Sequence, residues 1–435
     1  MNRRRIALGT LAGAGAWLAA CGSQGDGAGG AAPGAAREPV TLRHATGAPT
    51  GGFHAAERQV LERFVQQHPR VTVEAEAHSP TATVYEKALA QASAGTAPDV
   101  VLAHPRDSRV LLDAGALLEL DPYLKRDRKT VPDILPNLWG YFEQEGRQYY
   151  LPNNSAPFAM YYNRALFQQR GVKPLDQYES ERRWTVDTLL DVARQLTFGA
   201  GETKVWAIDW FWAVLDIHLA FIWPFGGDLW DKTEQGTVLD SKESLEAIQY
   251  MADLTARHRV SPTEEERKTP GITFQNGRVA MYVTTNAVVA DFANAPFDKG
   301  VVPMPTGRAG RVVRNVPFGV HVAKGSKHHD AAWEYAVFQA GAESERIMLG
   351  AQVSAPWHKA SLSGQEFART LHPWQSAAAY VETVNKVRPT RYVKRFTDIN
   401  RIYGPAYARV WAGEKTAPAA IGEIKTQINE LLRKA

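Results

Sequence analysis

Between Val40 and Ala103 the sequence switches back and forth between a two-residue and a helical period, and this alternation narrows the fold more than any other feature. Val40-Thr41-Leu42-Arg43-His44 alternates apolar and polar residues, the mark of a strand with one buried face. Val60, Leu61, Phe64 and Val65 then recur at helical spacing and stop at His68-Pro69. Val71-Thr72-Val73-Glu74-Ala75 alternates again, and a second helix over about Val84 to Ala94 ends at Gly95. Pro98-Asp99 leads into Val100-Val101-Leu102-Ala103, a short buried strand. Strand, helix, strand, helix, strand predicts an α/β chain with a mainly parallel sheet flanked by helices.

The same punctuation continues downstream. Gly146-Arg147-Gln148-Tyr149-Tyr150-Leu151-Pro152 reads as a hairpin returning into a strand over Phe158 to Tyr162. Trp184-Thr185 opens a helix with Leu189, Leu190, Ala193 and Leu196 on one face. Asp240-x-x-Glu243 has capping-box spacing, with Asp240 expected to accept from the helix start. Trp333, Trp374 and Trp411 sit at helical spacing with other apolar residues and read as core.

The first residues are of another kind. Arg3-Arg4-Arg5, an apolar run from Ile6 to Trp17 and small residues before Cys21 make a secretory signal peptide over 1–20. The run falls short of the roughly 20 apolar residues a span requires. Leu18-Ala19-Ala20-Cys21 resembles a bacterial lipobox, which implies cleavage before Cys21 and a lipid on its sulfur. The small and polar residues 21–37 read as the lipidated cysteine and a flexible tether. Cys21 is the only cysteine, so no intramolecular disulfide can form. Without the three signal arginines, 47 basic residues face 46 acidic ones, a balance that does not advertise nucleic acid.

Several further segments line up in order with one family. They are Leu151-Pro152-Asn153-Asn154, Met160-Tyr161-Tyr162-Asn163-Arg164-Ala165-Leu166-Phe167, Trp184-Thr185-Val186-Asp187-Thr188-Leu189 and Trp223-Pro224-Phe225-Gly226-Gly227-Asp228. Phe274-x-x-Gly277-x-x-Ala280-Met281, Val302-Pro303-Met304-Pro305, Gly319, Lys324-Gly325-Ser326-Lys327 and Ala331-Ala332-Trp333-Glu334-Tyr335 complete the series. The chain thus resembles the sugar-type extracellular solute-binding proteins, the maltose-binding-protein-like family 1. The loop after Met281 departs from the family by lacking an aromatic, and His44-Ala45-Thr46-Gly47 lacks a familiar polar sugar clamp.

The resemblance implies a type II periplasmic-binding-protein-like fold with two α/β lobes. The N-terminal lobe would use 38–155 plus 304–349, and the C-terminal lobe 156–303 plus 350–435. A sugar or oligosaccharide would bind between them, be enclosed by hinge bending and pass to the permease subunits of an ATP-driven (ABC) importer. A monomer without cofactor or metal, lipid-anchored on the extracytoplasmic face, is expected. A polar solute other than sugar is the nearest alternative.

Sugars offer an apolar ring face and a rim of hydroxyls, which suit aromatic planes and carboxylates, amides and Arg. The densest candidates are Asp209, Trp210, Trp212 and Trp223, although alternate side chains of a strand can simply pack. Gly227 and Asp228 read as a turn by the cleft, Asn286 as a loop residue beyond a strand, and His104 as the end of the third strand. Asn153 falls at the first crossing between lobes. Phe318, Trp357, Arg391 and Tyr392 fall where the family's later loops edge the cleft.

An exported glycoside hydrolase is the competing class, since Asp209, Asp216, Asp228 and Asp231 could in principle pair. No G-x-S-x-G elbow, zinc spacing or Walker-type glycine loop occurs.

Overall fold

The computed structural model describes residues 38–47, 51–77, 82–210 and 214–434. Cys21, the tether and Trp212 lie outside the described residues. The strands are β1 Val40–Thr46, β2 Val71–Ala77, β3 Val100–Ala103, β4 Glu143–Gln144, β5 Arg147–Gln148, β6 Leu151–Pro152, β7 Phe158–Asn163, β8 Trp206–Trp210, β9 Val279–Thr285, β10 Lys299–Pro303 and β11 Gly319–Val322. One sheet has the order β2-β1-β3-β11-β6, a second has β10-β7-β9-β8, and β4 pairs with β5 as the expected hairpin.

Both large sheets are mixed, not mainly parallel. The β1–β2, β1–β3 and β8–β9 pairs run parallel, whereas β3–β11, β11–β6, β7–β9 and β7–β10 run antiparallel. The reason lies in the connections. β1, β2 and β3 are joined by the helices Gly51–Gln67 and Ala82–Ser93, and such crossovers return the chain in the same direction. β6, β7, β10 and β11 are entered or left by segments passing between the sheets, which carry no such constraint.

Burial follows the pleat. β3, β7, β8, β10 and β11 are buried along their whole length, as strands covered on both faces must be. The helix Val186–Leu196 buries Leu189, Val192, Ala193 and Leu196, and Thr185 caps it by accepting from the Thr188 N–H. The expected cap at Asp240 is displaced by one residue. Ser241 accepts from Ser244 N–H and starts the helix Lys242–Ala256, while Asp240 pairs with Lys425. Trp333 and Trp411 are core, as their spacing indicates.

Candidate functional site

Three segments lie side by side between the two sheets. The first, Asn153–Pro157, joins β6 to β7, and the second, Met304–Phe318, joins β10 to β11. The third surrounds Ser354 and Ala355. Ser155 pairs with Ala355 and Pro157 with Asn315. Ala355 N–H donates to Ser155 C=O at 2.7 Å, Phe158 N–H to Arg314 C=O at 2.9 Å and Val316 N–H to Ala156 C=O at 2.9 Å. Phe318 N–H donates to Asn154 Oδ1 at 2.5 Å. These narrow ladders are the shared floor of both halves.

A polar cluster stands over this floor. β3 ends at Ala103, and His104 Nδ1 accepts from Arg106 N–H at 3.1 Å, capping the helix Pro105–Asp113. Arg106 Nη1 reaches Asp216 Oδ1 at 3.3 Å. Asp216 belongs to the 3-10 turn Leu215–His218, which follows β8 of the other sheet. Arg314, from the second crossing, donates from Nη2 to Asp216 Oδ2 and from Nε to Asp216 C=O, the latter at 2.7 Å. Tyr392 OH donates to the same Oδ2 at 3.0 Å. Arg109 Nη1 donates to Tyr392 C=O at 3.0 Å. One carboxylate therefore ties together both sheets and a crossing segment.

The side chains of Asp216 and Arg314 are both 0% exposed. Burial alone would raise the Asp216 pKa, but the adjacent Arg314 and Arg106 guanidiniums hold it well below the ordinary carboxylate range. His104 is pushed the other way: burial, then the Arg106 charge, lowers its pKa well below the usual value and keeps it neutral at pH 7. Because its Nδ1 accepts, its proton sits on Nε2, which is buried without a partner.

An aromatic line continues from this cluster into the second half. His218 Nδ1 lies 2.9 Å from Tyr403 OH, and the His218 and Tyr407 rings are 4.0 Å apart. Tyr407 is followed by Trp411 at 5.8 Å and Trp210 at 4.9 Å beyond it. Trp210 Nε1 and Tyr407 OH are buried with no hydrogen-bond partner. Beside them Asp209 holds Arg267, with Nε at 2.7 Å from Oδ1. Burial raises the Asp209 pKa, and Arg267 opposes that shift. Trp210, Tyr407 and Trp411 are at most 3% exposed, so a solute that is apolar on its faces and polar at its rim would meet these aromatic faces and unmet polar tips only if the surrounding elements parted.

The sequence-predicted residues divide among several places. Asp209 and Trp210 lie on the aromatic line. His104, Phe318 and Tyr392 meet over the crossings, with ring centroids 6.0 Å and 5.4 Å from His104. Trp223, Asp228 and Arg391 form a separate group, in which Trp223 Nε1 donates to Asp228 at 3.2 Å and Arg391 lies 3.5 Å from Asp228. Gly227 packs on the start of Lys242–Ala256, where a Cβ would meet Ser244 Oγ at 2.5 Å; packing against a helix explains it. Asn153 donates to Gln339 at 2.7 Å inside the first half. Asn286 lines a small pocket, with room for about one water, together with Ser354, Phe367 and Tyr380. Trp357 is fully buried and donates to Ala340 C=O at 2.9 Å. Arg106, Arg314, Tyr403 and Tyr407 were not singled out from the sequence. Arg314, a lone charge within the run Val312-Val313-Arg314-Asn315-Val316, was a readable signal of a buried ion pair.

Comparison with known proteins adds to this geometry. A family model described as bacterial extracellular solute-binding protein matches residues 48–346. A Brucella abortus protein named as a binding protein is 24% identical over 292 residues, 63% of this chain and 66% of that protein's own length. The ABC substrate-binding protein of Listeria monocytogenes solved with cycloalternan superposes with a TM-score of 0.79 at 20% identity, covering 90% of this chain and 99% of that one. The maltose-bound MalE3 of T. maritima gives 0.75 at 21%, covering 90% and 100%. UgpB of Mycobacterium tuberculosis, solved with glycerophosphocholine, gives 0.76 at 19%, covering 92% and 99%. These likenesses give the two-lobed fold, and the family is a non-catalytic one. The chain belongs to the bacterial extracellular solute-binding proteins.

Proposed function

We propose that this protein captures a sugar or oligosaccharide between its two halves outside the cytoplasm and hands it to an ABC importer. The halves are residues 38–155 plus 304–349 and 156–303 plus 350–435, bending about the three crossings. The observation that carries the reading is the aromatic line from Trp210 to His218, running into a polar cluster built from both sheets. Family membership supports the transport role, and the structural neighbours include proteins solved with cycloalternan and maltose. Glycerophosphocholine in another neighbour keeps a polar solute other than sugar as the second reading.

Cys21 and the tether supply the anchor in this scheme. Lipid on Cys21 holds the receptor near its transporter, and Cys21→Ala is expected to release it from membranes with solute affinity unchanged. Loss of affinity in that variant would mean that anchor and binding site are not separate.

The test is a panel of neutral oligosaccharides, monosaccharides, polyols and glycerophosphodiesters scored by melting temperature. A solute present at 100 times its Kd stabilises by about 2.7 kcal/mol. At least one saccharide is expected to do so, and Trp210→Ala is expected to weaken it. Release of products from a glycan by this chain would contradict the reading.

A further inference from the structure

Three donors from three different places converge on the Asp216 carboxylate: Arg106 Nη1 from one half, Arg314 Nη2 from a crossing, and Tyr392 OH from the segment before the helix Phe396–Trp411. This is the donor set with which proteins take up a carboxylate, phosphate or sulfate from outside. Here the protein supplies the anion itself, from the turn that follows β8. Further donors stand nearby without acceptors. Arg314 Nη1 and His104 Nε2 are both buried and unpartnered.

The charges about the cluster nearly cancel. Arg106 is shared between Asp107, at 2.6 Å, and Asp216. Arg314 has Asp216 as its ion-pair partner. Arg109 is held by Asp113 at 2.7 Å and Glu145 at 3.5 Å. His104 is neutral. Asp107 and Asp216 together balance the Arg106 and Arg314 guanidiniums, so removal of Asp216 would leave one net positive charge among unmet donors. Arg106 is the side of the cluster that meets solvent, with its side chain 23% exposed, while Asp216 and Arg314 lie behind it at 0%.

We propose that Asp216 determines specificity as a built-in counter-ion: it fills an anion pocket with the protein's own carboxylate, so that uncharged solutes are taken and acidic ones are rejected. This rests on the solute-binding reading and narrows its substrate class. A solute carrying a carboxylate, phosphate or sulfate would have to displace Asp216 or lie against it. Repulsion between like charges at hydrogen-bond range outweighs what a single hydroxyl contact returns.

The experiment uses the full chain and inorganic sulfate, with chloride at equal ionic strength as control, read by melting temperature. The wild type is expected to show no saturable sulfate effect beyond the chloride control. Asp216→Asn keeps the shape and removes the charge, and is expected to gain saturable stabilisation by sulfate. Its half-saturation should fall below any wild-type value by about tenfold or more. Should that variant fail to fold, Asp216→Ser, which also removes the charge and keeps a small polar group toward the donors, takes its place. Asp216→Asn combined with Arg314→Gln loses one charge of each sign, leaves Arg106 paired with Asp107 and is expected to show no gain over wild type. A folded Asp216→Asn or Asp216→Ser variant that binds sulfate no better than wild type overturns the proposal, as does wild type binding sulfate as well as Asp216→Asn. Sulfate needs no solute, so a panel in which no sugar binds would remove the transport reading and leave these arms to decide Asp216 separately.

Discussion

Asp216 and Arg314 illustrate how much one residue can hold. Leaving a buried charge without its partner typically costs 3–5 kcal/mol. Arg314→Ala is therefore expected to lower unfolding free energy by about that amount in a urea titration, and a loss under about 1 kcal/mol would mean that the pair is not closed in solution. Glu57 carries a pH dependence. It is buried, accepts from Thr46 OH at 2.7 Å and lies 3.6 Å from His44 Nε2. Burial, opposed by Thr46, pushes its pKa up to about 7 from 4.5. A raised carboxyl pKa gives stability that is complete below pH 4.5 and lost as pH climbs to about 7, a loss of about 3 kcal/mol. Burial lowers His44 to about 4 and His321 to about 3, so their contributions are complete above pH 6.5 and lost toward acid. These trends oppose each other in the wild type. Their separation requires Glu57→Gln, which cannot ionise: its stability relative to wild type is expected to rise between pH 5 and pH 8. An unchanged gap would place Glu57 in contact with water.

Elements were the most legible level of the sequence. Period and punctuation located β1, β2 and the helices between the strands, because each has one buried face, while β3 stood out as a short apolar run buried on both faces. Helix starts were less secure, since adjacent small polar residues compete for the cap. Asp240 and Ser241 differ by one position, and only Ser241 has its oxygen toward Ser244 N–H. Ser241→Ala is expected to cost about 1 kcal/mol and Asp240→Ala much less, measured by thermal denaturation; the reverse order would return the cap to Asp240. Strand direction was not legible beyond β3, because period two reports which faces are buried and says nothing of which neighbour a strand meets. The ligand-facing candidates were partly legible for the same reason. Asp209 and Trp210 stand on the aromatic line, whereas Trp357 shows that a tryptophan in a matching turn can be spent on packing. Arg106, Asp216, Arg314 and Tyr392 lie far apart in sequence, and only the crossings bring them to one point.

At the scale of the molecule, three adjacent crossings with few hydrogen bonds separate two well-packed halves. In the proposed capture scheme the soft coordinate would lie at the crossings and the solute contacts on the surfaces that meet when they bend. The Arg106–Asp216 and Arg109–Tyr392 contacts join one half to elements of the other, and the proposed opening would have to break or lengthen them. Small-angle X-ray scattering of the full chain, with and without the saccharide that raises its melting temperature, tests the capture mechanism most directly. The account predicts a smaller radius of gyration on saturation with solute; an unchanged radius in a sample that has demonstrably bound it would contradict closure of the halves.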